Sequence, residues 1–323
     1  MSTAAILVIA EVRDGSATPL TRELLGLARD LTPGGVVAVL LIADDSRAVA
    51  DLVAHGADRI YLREEAGTGD YVGEQWLPHA EHVVREIAPR AIFVGHTPAG
   101  ADLAPRLAFR LESAVATGCV AVDCDDGELL FTRACYGGNV RETVLIGSVP
   151  AVATIKAGAG RARADPQRRG EIVGLAASPV NSRTRVISRQ RESAPGMRLE
   201  DARVVVAGGR GLEGAEGFRV LETLAQVLGA AVGASRVPCD LGWCPHSWQI
   251  GLAGKTVTPD LYFAVGISGA GHHMAGCGNA KTIVAINSDP QAAIFRDARF
   301  GVVGDYRKLV PALAQAIREL PDA

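Results

Sequence analysis

Two periodicities alternate along this chain. Residues 6–10, 36–43, 60–62 and 91–95 are short apolar runs, the pattern of strands buried on both faces. Between them, residues 20–31, 71–87 and 102–111 carry apolar side chains at helical spacing, the first behind Thr18-Pro19, a cap and a first turn. Strands alternating with helices of this length predict βαβ units and a parallel sheet. From Val115 the pattern changes. Residues 120–123, 129–132, 140–146 and 150–155 are short and β-like, with Asp125-Asp126-Gly127 and Gly137-Gly138-Asn139 as turns. They predict an antiparallel extension of the sheet.

Residues 157–170 have the Gly, Pro and Arg content of a loop. A β-like stretch at 184–189 leads into a polar connection at about 190–200. A second α/β pattern then starts with the apolar run 203–207 and Gly208-Gly-Arg-Gly211. It continues with a helix near 216–228, strand ends at 231–235, 261–265, 282–286 and 301–303, and a closing helix over 305–319. The expected fold is α/β in two domains. Residues 1–195 form a parallel-sheet domain with an antiparallel extension, and residues 196–323 a Rossmann-like domain that carries the ligand.

Composition narrows the class. The chain has 323 residues, 48% hydrophobic and 21% charged, with a net charge of −3. That balance gives no electrostatic case for nucleic acid or an anionic membrane. No apolar stretch reaches the ~20 residues of a membrane span. The apolar start lacks a basic n-region and runs directly into Glu11-Val-Arg-Asp14, so it reads as a buried first strand rather than a signal peptide. The six cysteines include no C-x-x-C pair, and with no export signal they are expected to be reduced thiols of a cytoplasmic protein, with no metal site.

The candidate chemistry lies in the second domain. The strand pattern ending in Gly266-Ile-Ser-Gly269 is followed by a small-residue helical segment, with His272 and His273 about one turn in, and then by a strand ending in Asn287-Ser-Asp289. In an open parallel sheet, ligands bind beyond the carboxyl ends of the strands. Glycines at such turns let a phosphate approach backbone N–H groups, and a helix N-terminus favours its charge.

These residues also resemble a known family. Val205-Val-Ala-Gly-Gly-Arg-Gly211, Gly229-Ala-Ala-Val-Gly-Ala-Ser-Arg236, Gly254-Lys255, Leu261-Tyr-Phe-Ala-Val-Gly-Ile-Ser-Gly-Ala270, His273, Val284-Ala-Ile-Asn-Ser-Asp-Pro290 and Val302-Val-Gly-Asp-Tyr306 are similar to the FAD-binding domain of electron transfer flavoprotein α subunits, including the FixB type. Asp102-Leu-Ala-Pro-Arg-Leu-Ala108, Phe131-Thr-Arg-Ala-Cys-Tyr-Gly-Gly-Asn139 and Ala153-Thr-Ile-Lys156 resemble stretches of their N-terminal domain. The resemblance implies an electron carrier with no substrate of its own. It implies FAD in the second domain of this chain and a β subunit carrying AMP or another nucleotide. It also implies exchange of electrons with acyl-CoA-type or other flavin dehydrogenases, or ferredoxin-type donors, and with a quinone oxidoreductase or similar acceptor. A specialised paralogue serving one dehydrogenase and a non-redox nucleotide-binding scaffold are the alternatives.

The resemblance also assigns roles. Arg236 lies against the isoalloxazine ring, where a cation stabilises reduced, anionic flavin; the alternative is a surface salt bridge. A protonated His273 sits at the flavin N1/C2=O edge. His272 contacts flavin or occupies an exposed face. Gly266, Ser268, Gly269 and Ala270 meet the pyrophosphate or ribityl oxygens, Gln249 the ribityl chain, and Asn287 and Asp289 the diphosphate or adenosine. Asp289 serves equally as a turn former. Asp305 meets the adenosine or caps the last helix, and Ser235 bonds the cofactor or satisfies a turn. Arg210, Gly251 and Gly254 complete the set. The chain departs from the family at Leu252 and Ala253, where a Gln and a Thr are usual. Ala253 therefore lacks the hydroxyl that reaches flavin N5. Trp243 and Trp248 stack near the cofactor, form a partner surface or simply pack.

Overall fold

The computed structural model describes residues 5–64, 70–136, 140–176, 182–184, 186–188 and 197–320. The chain forms two compact units. The first comprises Met1–Cys135 and Arg141–Arg191, and the second Tyr136–Val140 and Glu192–Ala323. The expected boundary at residue 195 lies outside the described residues.

In the first unit the apolar runs become β1 (Ala5–Ile9), a hairpin of β2 (Val12–Arg13) and β3 (Ser16–Ala17), and, after α1 (Pro19–Leu31), strand β4 (Val36–Ala43). Then come α2 (Val49–Ala54), β5 (Arg59–Glu64), α3 (Gly73–Ile87), β6 (Ala91–Gly95) and α4 (Pro98–Arg110). The unit continues with β7 (Val115–Asp125), β8 (Glu128–Cys135), β9 (Val140–Leu145), β10 (Ala151–Ile155) and β11 (Glu171–Gly174). Helix α1 starts as its sequence predicts: the Thr18 side chain accepts from the Thr21 N–H, with Pro19 at the first helical position.

Among the described residues, nine strands form one sheet in the order β11-β5-β4-β1-β6-β10-β7-β8-β9. The antiparallel extension is present, since β7 and β8 pair antiparallel. One strand assigned to it belongs elsewhere. β10 pairs in parallel with both β6 and β7 and lies inside the sheet, all five of its residues buried. The hairpin-like spacing hid that crossover. The loop expected over 157–170 carries no helix or strand, but it leads into β11, a parallel edge strand on β5 that the sequence reading missed. The strand expected at 184–189 is not formed: among its described residues, Thr184 and 186–188, none is in a strand. The turn at 137–139 lies outside the described residues.

The second unit begins with β12 (Val204–Gly208), α5 (Glu216–Leu228) and β13 (Ala231–Ala234). After α6 (Arg236–Asp240) come β14 (Leu261–Val265), α7 (Gly271–Cys277), β15 (Thr282–Asn287), β16 (Phe300–Val303) and α8 (Tyr306–Arg318). The five strands are all parallel, in the order β13-β12-β14-β15-β16. The chain first winds from β12 outward to β13, then returns to the other side of β12 as β14. The switch point is therefore between β12 and β14, where an open α/β sheet leaves a crevice beyond its carboxyl ends. Val206, Val265, Leu221, Leu224 and Val310 pack α5 and α8 on one face, and Val205, Tyr262, Ala264 and Ile283 pack the other.

Candidate functional site

Every strand of the second sheet delivers candidate residues at its carboxyl end. Arg210 follows β12, and Ser235 and Arg236 follow β13. Gly266, Ser268, Gly269 and Ala270 follow β14, Asn287 ends β15 with Asp289 just beyond it, and Asp305 follows β16. The parallel arrangement thus gathers residues far apart in sequence along one edge of one sheet.

At the switch point the two loops touch through backbone. Gly209 N–H donates to Val265 O at 2.9 Å and Gly211 N–H to Gly266 O at 3.0 Å. A Cβ at Gly209 would stand 2.2 Å from Gly266 O, so glycine is required there. Gly266 and Gly269 turn through left-handed backbone, at φ 63° and 84°. The carbonyl of Ser268 then accepts from Ile294 N–H at 3.0 Å, and the Asn287 side-chain amide donates to Ile267 O at 2.9 Å. These contacts shape the turn, while Ser268, Ala270, Gly271 and His272 remain exposed. Among the described residues, the main-chain N–H groups of Ser268 through His272 meet no protein acceptor.

The segment 249–255 is docked beside this turn. Ile250 N–H donates to Ala234 O at 2.8 Å, Leu252 N–H to His272 O at 2.7 Å, and Val257 N–H to Gly276 O at 2.8 Å. A Cβ at Gly276 would meet Gly251 N at 2.4 Å. Leu252, Ala253 and Gly254 are exposed at the tip.

His273 is placed differently from expectation. The two histidines occupy the first turn of α7, not a position a turn further in. His273 is buried, and its Nδ1 lies 3.1 Å from Ile250 O while its Nε2 lies 2.9 Å from the Tyr262 hydroxyl. A carbonyl only accepts, so Nδ1 carries the proton and Nε2 accepts from Tyr262. Burial lowers the pKa of the ring from 6.5 to about 4. The expected protonated imidazole is thus corrected: His273 is neutral, with both nitrogens engaged by protein, because the interior disfavours its charge. Tyr262 is the residue that sequence reasoning missed. Its signal was a hydroxyl within an apolar strand, which needs a buried partner.

Other candidates make local bonds that their residue types favour. Arg236 is exposed, with its Nε 3.0 Å from Asp240 Oδ2, four residues on. Asp289 N–H donates to Asn287 Oδ1 and Gln291 N–H to Asp289 Oδ1, a linked turn. Asp305 caps α8, accepting from Arg307 N–H at 2.9 Å. Trp248 packs at 5.9 Å from Phe218, and Trp243 is half-buried against the same core. The Ser247 hydroxyl is buried without a partner among the described residues, two residues before Gln249.

Comparison with known proteins decides the family. Residues 6–180 match the family model described as electron transfer flavoprotein domain, and residues 198–278 that described as electron transfer flavoprotein FAD-binding domain. The chain belongs to the electron transfer flavoprotein α-subunit family. It is 38% identical to the electron transfer flavoprotein subunit alpha of Bacillus subtilis over 317 residues, covering 98% of each chain. It is 39% identical over 323 residues to the subunit of the same name from Thermoanaerobacterium thermosaccharolyticum, again covering 98% of each. Protein FixB of Clostridium saccharobutylicum is 33% identical over 325 residues, covering 98% of this chain and 97% of FixB. FAD is the cofactor of the matched domain. The geometry fits it: glycine turns, a row of unpaired N–H donors and exposed small residues at a sheet's carboxyl edge suit the diphosphate of a dinucleotide. Among the described residues there is no cluster of metal-binding side chains, and no helix is long and apolar enough to cross a membrane.

Proposed function

We propose that this chain is the α subunit of a heterodimeric electron carrier. It receives electrons from flavin dehydrogenases and passes them to a quinone oxidoreductase or a similar acceptor in the cytoplasm. The first unit faces a β subunit that carries AMP or another nucleotide, and the second unit holds the FAD. Bound FAD supplies the electron-carrying chemistry, and the chain converts no substrate of its own. The observation that carries this reading is the row of donor N–H groups from Ser268 to His272 on the carboxyl edge of a parallel sheet, within a chain whose named relatives match it end to end.

In this reading Ser268, Gly269, Ala270 and Gly266 seat the diphosphate through backbone. Asn287, Asp289 and Asp305 serve the adenosine side. Arg210, Ser235, Gln249, Gly251, Ala253 and Gly254 line the ribityl and ring side. Arg236, exposed on a short helix, turns its guanidinium to the isoalloxazine and stabilises negative charge on the reduced ring. His273 acts as a neutral positioning residue that fixes Ile250 and the following loop against α7. His272, exposed beside it, is the imidazole free to reach the ring.

A variant reading, a carrier specialised for one dehydrogenase, is favoured by Leu252 and Ala253, exposed at the loop tip with no side-chain hydrogen-bond donor. Co-expression with a β subunit, followed by extraction and chromatography of the cofactor, tests the assignment. FAD in the complex is the expected result, together with reduction by a flavin dehydrogenase. Recovery of FMN, or of no flavin after reconstitution with FAD, would overturn it.

A further inference from the structure

The segment between Arg236 and Gln249 holds a second feature that the flavin site does not use. Cys239 lies in the last turn of α6, and the backbone then reverses through Gly242, at φ 71°. Gly242 N–H donates to Cys239 O at 3.0 Å and Trp243 N–H to Pro238 O at 2.9 Å. This tight reversal returns Cys244 to Cys239, with the two sulfurs 3.6 Å apart. Both side chains are buried, yet the turn that joins them is a surface excursion, with Leu241 55% exposed and Gly242 exposed, and Pro245 and His246 just after Cys244 are exposed too.

The two sulfurs share a contact in which either can donate, and the Cys239 thiol also reaches the Ser235 and Pro245 carbonyls, at 3.5 and 3.6 Å. The hydrogen bond between them favours a thiolate on one sulfur while the other keeps its proton. A thiolate that attacks and a neighbour that resolves is the arrangement thiol–disulfide exchange requires. The other cysteines lack it. Burial pushes Cys119 up to about 11 and Cys277 up to about 12, and all six are free thiols. A disulfide measures about 2.05 Å between sulfurs, so closure needs the turn to contract by about 1.6 Å at the sulfurs. The ring it closes is short and constrains the unfolded chain only weakly, which suits a reversible bond better than a structural staple.

We propose that Cys239 and Cys244 form a reversible disulfide site. The thiolate of one of them attacks one sulfur of a low-molecular-weight disulfide and displaces one small thiolate. The other cysteine then attacks the first in the mixed disulfide and displaces the second small thiolate. The two protein thiols lose two electrons and two protons, and the small disulfide becomes two thiols. The bond ties the end of α6, which carries Arg236, to the turn leading to Gln249. It does not depend on the flavin assignment.

The test uses the full chain in its complex, held over hours to days at mildly alkaline pH in glutathione buffers of increasing disulfide-to-thiol ratio. Samples are acid-quenched and alkylated, and their cysteines are mapped by mass spectrometry. Cys239 and Cys244 should lose alkylation together, on a peptide two hydrogens lighter, and dithiothreitol should restore both. Cys119 and Cys277 should stay reduced. Cys244→Ser and Cys239→Ser should each instead carry a glutathione adduct on the cysteine that remains, with no intramolecular bond. Continued alkylation of both residues in the wild type at every ratio would overturn the proposal, as would pairing of either with another cysteine.

Discussion

Tyr262 and His273 hold each other across the second domain: the strand hydroxyl donates to the helix imidazole at 2.9 Å, and the opposite ring nitrogen donates to Ile250 O. One residue of β14 and one of α7 thereby fix the loop that carries Gly251 and Ala253. The ring's folded pKa is about 4 against an ordinary 6.5, lowered by burial. The unfolded state therefore binds more protons between those values. Stability is full above pH 6.5 and is lost as the pH falls toward 4, by an amount on the order of 3 kcal/mol. Urea unfolding of wild type and His273→Gln at several pH values checks this. The variant should lose much of that slope, and at neutral pH it should lose roughly 1–3 kcal/mol from buried groups left with poorer partners.

Arg236 should separate binding from stability. Its ion pair with Asp240 is solvent-exposed, so Arg236→Ala should cost about 0–1 kcal/mol of unfolding free energy. Potentiometric titration of the same variant should give a lower flavin reduction potential, because a cation that favours anionic reduced flavin has gone. An unchanged potential would leave Arg236 as a surface residue and nothing more.

Ala253 is exposed at the tip of its loop, so Ala253→Thr should fold without penalty. If its new hydroxyl bonds the flavin, one neutral hydrogen bond of about 0.5–1.5 kcal/mol should raise the potential by roughly 20–65 mV for one electron. Leu252→Gln in the same protein should add to that shift. A titration curve identical to wild type would mean that the backbone already serves the N5 position.

Gly269 adopts left-handed backbone, and a Cβ there would stand 2.2 Å from Ile294 N. Gly269→Ala should therefore destabilise the second domain by at least roughly 1–3 kcal/mol and weaken FAD retention. Thermal unfolding combined with flavin release on gel filtration reads both. Retained FAD at unchanged stability would remove this turn from the cofactor seat.

Asp305 has a capping duty already visible in its bond to Arg307 N–H. Asp305→Ala should cost about 0.5–2 kcal/mol, whereas Asp305→Ser should keep the cap. FAD affinity of the Ser variant then isolates the carboxylate's part in binding. Equal affinity in wild type and the Ser variant would assign Asp305 to the helix alone.

The sequence by itself determined the two α/β units, because apolar runs of strand length alternating with amphipathic helices leave few other ways to bury both. It also marked two turns that take left-handed backbone, since Gly266 and Gly269 follow a strand end and only glycine takes such backbone freely. What it left undecided was long-range partnership. β10 reads locally like its antiparallel neighbours, yet it pairs in parallel between β6 and β7, because register and strand order are set by the whole sheet rather than by any one strand. The charge on His273 was likewise undecided. Its sequence position allows a protonated helix residue, and only burial, together with Tyr262 and Ile250 brought from other elements, makes it neutral. Desolvation depends on what surrounds a group in space, and no local pattern of residues encodes that.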